Sequence, residues 1–159
     1  MDRAKELSTI KRSISKIDPA FAPAIKNLTP CTFGLEKPKA THYQTLMRSV
    51  IAQQVSTAAA RTITGRLQEK CGGLITPAKV NLLSTEELQT LGLTGAKVKA
   101  ISELTKAVLS GEVNFRRFVY MADEEIIENL LPLFGIGRWT VEMFLIFQLG
   151  RLDVWPVDD

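Results

Sequence analysis

One histidine, His42, and two cysteines, Cys31 and Cys71, are all that this 159-residue sequence offers in soft metal ligands. No Cys, His or carboxylate is arranged around His42 at metal-binding spacing, and the cysteines stand far apart without companions, so no side-chain metal site is expected. The thiols read as buried or free groups of a reducing compartment, and His42 as a capping or surface residue. Long apolar runs are lacking too. The longest, Met143 to Phe147, is far too short to span a membrane, and no stretch has the order of a signal peptide. Charge bias is slight: the formal net charge of +3 permits nucleic-acid binding but is shared by many unrelated proteins. No strand pattern, internal repeat or low-complexity segment is found.

What remains is helix almost throughout, so the chain reads as all-α, with enough apolar residues for one compact domain over 1–159 or two small lobes sharing a cleft. Leu7, Ile10, Ile14 and Ile17 form a stripe that stops at Asp18-Pro19, and a short helix through Phe21 and Ile25 follows. Thr29 to Thr41, with two prolines and a glycine, reads as a loop. Ser56 is placed as the N-cap of a helix through Ala59, Ile63 and Leu67 that ends at Gly72-Gly73. Ser84-Thr85-Glu86-Glu87 has the capping-box pattern and opens a helix that closes near Gly92. Another helix runs to about Leu109 with Val98, Ile101, Leu104 and Val108 on one face. Its Lys97 and Lys99 are either a solvated face or phosphate contacts. Asp123 is the expected N-cap of a helix through Ile126, Ile127, Leu130 and Leu133.

Two segments could carry chemistry. In Leu133-Phe134-Gly135-Ile136-Gly137-Arg138-Trp139-Thr140-Val141 a Gly-Ile-Gly turn joins two amphipathic helices. Its glycines reach conformations closed to other residues, and the first-turn N–H groups of the second helix suit a phosphate oxygen. The same spacing also serves as a plain tight connection. In Tyr43-Gln44-Thr45-Leu46-Met47-Arg48-Ser49-Val50-Ile51-Ala52-Gln53-Gln54-Val55-Ser56, the apolar residues recur at helical spacing and carry Gln53 and Gln54 to the helix end. A glutamine pair there is ordinarily a solvated feature.

Taken together, the hairpin, Trp139, the closing pair Asp158-Asp159 and the glutamine corner resemble the helix-hairpin-helix DNA glycosylase superfamily. Within it they are most similar to the 3-methyladenine DNA glycosylase II branch. The resemblance runs from about Ser8 to the last residue and implies helical lobes around a cleft, with the hairpin motif at about 123–150. It assigns catalysis to Asp159 and the base pocket to Trp139 and Met143. DNA contact falls to Gln53, Gln54, Ser56, Gly135, Gly137, Arg138 and Thr140, with Gln54 the better candidate for plugging the gap left by an extruded base. Backbone carbonyls near Leu131, Leu133 and Gly135 could hold a monovalent cation, and no other cofactor is implied.

The chemistry follows from the bond to be broken. Cleaving a base from its sugar passes through an oxocarbenium-like transition state that a carboxylate stabilises. An alkylated purine is already cationic and needs little acid help, so one carboxylate suffices. In the related bifunctional glycosylases the position of Trp139 is a lysine that forms a Schiff base; an indole cannot, so the resemblance implies a monofunctional hydrolase acting on 3-methyladenine- and 7-methylguanine-type lesions. The sequence departs from the family's pattern in Phe134, where proline is usual, and in Met143, where some members have a pocket tyrosine. It also stops at Asp159, so the chain reads as lacking the family's C-terminal helices. The alternative is a non-catalytic helix-hairpin-helix DNA-binding protein or an inactive remnant. The implied partner is duplex DNA containing alkylated bases, bound by a monomer without membrane association. The implied location is the cytoplasm, with the nucleoid, if bacterial, or the nucleus if eukaryotic.

Overall fold

The computed structural model describes residues 3–27, 29 and 38–156, so Cys31 lies outside the described residues. The chain divides into two compact units, Met1–Lys37 and Pro38–Asp159. In the first, α1 (Arg3–Ile17) ends where Pro19 begins a 3-10 turn, and Asp18 caps that turn by accepting from the Ala20 N–H at 2.9 Å. Helix α2 (Ala22–Asn27) follows.

The second unit carries α3 (His42–Ala52), α4 (Thr57–Lys70), α5 (Pro77–Val80), α6 (Thr85–Thr90), α7 (Gly95–Ser110), α8 (Asp123–Leu130) and α9 (Arg138–Phe147). Among the described residues there is no strand, and no helix is long and apolar enough to cross a membrane. Helix α3 is central: Tyr43, Leu46, Met47, Val50 and Ile51 are buried, and α3 packs on α4, α7 and α9. Facing it are Val98, Ile101 and Leu104 of α7 and Val141, Phe144 and Leu145 of α9. Each fully buried Leu or Ile contributes about 1.5–3 kcal/mol, so this core holds the loops at the helix ends in place.

Most helix starts follow local rules. Thr41, Ser56, Thr76, Ser84 and Thr94 each accept a backbone N–H in the first turn of the helix they precede. Asp123 does not cap α8. The N-cap is Ala122, whose N–H donates to Glu125 Oε2 at 2.6 Å, while Asp123 pairs with Arg151 Nε at 3.2 Å. His42 is neither cap nor surface group. Its half-buried ring lies 5.6 Å from that of Phe115 and 5.7 Å from that of Phe144. Burial lowers its pKa below the usual 6.5.

Candidate functional site

Helices α8 and α9 are joined by the Gly-Ile-Gly loop, and two buried side chains on either side of Gly135 anchor it: Leu133 and Ile136. The Ile136 N–H donates to the Leu133 carbonyl at 3.1 Å, closing a tight turn. Gly135 sits at φ +78°, and a Cβ there would lie 2.8 Å from the Ala100 Cβ of α7. Both conformation and space therefore demand glycine. The Phe134 N–H donates to Glu103 Oε2 at 3.0 Å, and the Lys99 ammonium stands 4.2 Å from the Phe134 ring centroid. Gly137 differs: it is the N-cap of α9 at φ −87°, and a Cβ would meet nothing within 4 Å.

The N-cap residue of α9 makes no side-chain hydrogen bond. Gly137 has no side chain to bond the first-turn amides, unlike the threonines and serines that precede α3 to α7. No acidic residue occupies the first turn of α9, whereas α8 has Asp123, Glu124 and Glu125 there. Of the two hairpin helices, only α9 suits an external anion. Arg138 is half exposed and bonded to Glu142 Oε1 at 3.0 Å, with Glu124 Oε1 at 3.5 Å, so a phosphate reaching it must compete with two carboxylates. Trp139 is 45% exposed and Met143, one turn on, is half-buried. Thr140 is buried, so its hydroxyl is not presented at the surface.

The corner between α3 and α4 lies beside this loop. Gln53 and Gln54 take opposite roles in it. Gln53 turns inward and donates from Nε2 to the Gly135 carbonyl at 2.9 Å. Gln54 is exposed and holds φ +55°, the one non-glycine residue with positive φ among those described. A left-handed conformation costs an L side chain about 1–2 kcal/mol, and Gln54 is held in it between two helix ends. Ser56 Oγ accepts from the Ala59 N–H at 3.2 Å as the N-cap of α4. Lys97 of α7 reaches under the corner and donates from Nζ to the Ile51 carbonyl at 2.7 Å; burial lowers its pKa.

Gly135 and Gln53, with Gln54 next to it in the chain, are thus brought together, while Gly137, Arg138, Trp139, Thr140 and Met143 follow along α9. Asp158 and Asp159 lie outside the described residues. A cleft of about 450 Å³ between α3 and α4, lined by Arg48, Ala52, Val55 and Arg61 among others, includes none of the expected pocket residues. Sequence reasoning missed Ala100, Glu103 and the corner contact of Lys97. The only available signal was their shared spacing of three residues, which puts them on one side of α7.

Residues 47–159 match the family of HhH-GPD superfamily base excision DNA repair proteins. The chain is 29% identical over its full length to alkylbase DNA glycosidase-like protein mag2 of Schizosaccharomyces pombe, covering 76% of it. It is 36% identical over 74% of its length to DNA-3-methyladenine glycosylase 1 of the same organism, covering 53% of that protein. It therefore spans about half of that glycosylase. Among solved structures, a DNA-3-methyladenine glycosidase from Bacillus halodurans matches 92% of this chain and 66% of its own, with a TM-score of 0.83 and 33% identity. A 3-methyladenine DNA glycosylase of S. pombe in complex with abasic DNA matches 78% of this chain and 62% of its own, with a TM-score of 0.69 and 35% identity. With described residues that are helical and without strands, a hairpin built on glycines and a family match over more than half its length, the chain belongs to the HhH-GPD superfamily of base excision DNA repair proteins.

Proposed function

We propose that this chain carries the DNA-binding core of a monofunctional glycosylase that hydrolyses the N-glycosidic bond of alkylated purines in duplex DNA. The observation that carries the reading is the juxtaposition of the hairpin with the strained Gln54 corner, tied by the bond from Gln53 to the Gly135 carbonyl. The start of α9, which no N-cap side chain occupies, faces a phosphate on one side of a lesion. Gln54, already held outward, fills the space an extruded base vacates. Trp139 and Met143 line the pocket, where an indole face stacks on a cationic purine.

Asp159 is the proposed charge stabiliser and activator of water. Its carboxylate offsets the positive charge that develops on the sugar, and the water that it activates attacks the anomeric carbon as the base leaves with the bonding electrons. Trp139 has no amine for a sugar adduct, so the strand stays intact. A monovalent cation at the Leu131, Leu133 and Gly135 carbonyls is part of this proposal: Leu133 and Gly135 each accept one internal bond, which leaves a second lone pair on each oxygen. It would supply positive charge toward a phosphate. The protein works as a monomer on genomic DNA, in the nucleoid or nucleus according to its source.

The test is release of 3-methyladenine and 7-methylguanine from alkylated duplex by the intact protein. Free base should appear with strand breaks only after alkali. A borohydride-trapped protein–DNA adduct would overturn the monofunctional assignment. Tight duplex binding with no base released would favour a non-catalytic DNA-binding protein.

A further inference from the structure

Helix α7 touches both turns, and it does so through backbone atoms. Lys97 Nζ donates to the Ile51 carbonyl in the last turn of α3, at 2.7 Å. Ala100 lies directly under Gly135, and Glu103 Oε2 accepts the Phe134 N–H at 3.0 Å. Lys99 stacks on the Phe134 ring and lies 3.9 Å from Glu103. Ala100 is buried with the core face of Val98, Ile101 and Leu104, whereas Lys97 and Glu103 are half-buried and Lys99 is exposed, so packing of the helix does not require these three charged side chains. The bond from Gln53 to the Gly135 carbonyl closes the circuit from α3 through α7 and the hairpin back to the corner.

We infer that α7 sets the distance between the hairpin and the Gln54 corner, with Lys97 and Glu103 as positioning residues for lesion capture. The inference rests on the reading that both turns face DNA. A wedge and a phosphate cradle must engage one duplex at once, so their separation has to match the step from an extruded nucleotide to a neighbouring phosphate. A side chain bonded to backbone fixes a turn whatever side chains the turn presents. Positioning residues of this kind affect discrimination between damaged and intact DNA more than overall binding.

The experiment measures the ratio of affinities for a duplex with a stable abasic-site analogue and for intact duplex. It also follows the amide resonance of Phe134, the side-chain NH₂ resonances of Gln53 and the melting temperature. Lys97→Met and Glu103→Ala should each lower the ratio by about five- to tenfold, the size of one typical hydrogen bond, and shift both sets of resonances. Combining either with Gln54→Ala should add little to the loss from Gln54→Ala alone, because both act on one event. Glu103→Gln, which keeps an acceptor, should retain the Phe134 resonance and most of the ratio. An unchanged ratio with unchanged resonances, or full additivity with Gln54→Ala, would overturn the inference. If an alanine or methionine variant melts early, Glu103→Gln decides: a kept resonance with a lost ratio overturns positioning. Should the parent itself show no preference for the abasic analogue, the DNA reading fails, and the coupled movement of the Phe134 and Gln53 resonances alone decides whether α7 links the turns.

Discussion

The two hairpin glycines have the same identity and different reasons for it. Gly135 combines φ +78° with a 2.8 Å approach to Ala100, so Gly135→Val forces both a strained backbone and a displaced hairpin. It should cost roughly 2–4 kcal/mol and lower the melting temperature by several degrees. Gly137 has an ordinary φ and open space, so Gly137→Val should change stability by less than about 1 kcal/mol yet weaken binding to intact duplex by blocking backbone approach to phosphate. Equal loss of melting temperature in both variants would refute this division. Gln54 invites the opposite substitution. Gln54→Gly relieves the left-handed conformation and should raise stability by roughly 0.5–1 kcal/mol, while lowering preference for lesion-containing DNA. A glycine variant that is more stable and equally selective would remove Gln54 from the site.

At the scale of elements, helix positions were legible because caps and apolar spacing are local. Ser56 and Ser84 cap as their hydroxyl chemistry dictates. Asp123 illustrates the limit: an acidic residue suits both the cap and the first turn, and Arg151, far along the chain, settles the choice by pairing with it. The glutamine pair shows the same limit, since nothing in two adjacent identical residues says which will turn inward to Gly135. Periodicity finds the face of a helix that is buried by apolar groups. It puts Lys97 and Glu103 on one side of α7 but is silent about their partners, which are backbone atoms 46 and 31 residues away. Thus the hairpin and its corner could be read from sequence, whereas the link between them could not.

Across the whole second unit, one polar junction binds its first long helix to its last, and its chemistry makes it sensitive to pH. Gln148 Nε2 donates to the Ala40 carbonyl at 3.0 Å and lies 3.0 Å from His42 Nδ1, while Thr45 Oγ1 donates to Gln148 Oε1 at 2.6 Å. The Ala40 carbonyl can only accept, so it fixes the amide with its NH₂ toward His42. Nδ1 must then be an acceptor, and the ring is neutral with its proton on Nε2. Protonation would set an N–H against an N–H, in a place where burial already disfavours the charge. A histidine with a folded-state pKa below 6.5 binds its proton more readily when unfolded, so stability is full above that value and falls as pH drops through it. Because His42 is the sole histidine and most carboxylates titrate below about pH 5, the melting temperature should decline between pH 7.5 and 5.5 through this one group. Replacement by phenylalanine, which suits the neighbouring Phe115 and Phe144 rings, should flatten the profile over that interval even if it lowers stability overall. An equal slope in the parent and in His42→Phe would assign the effect to other groups and free the junction of any pH dependence.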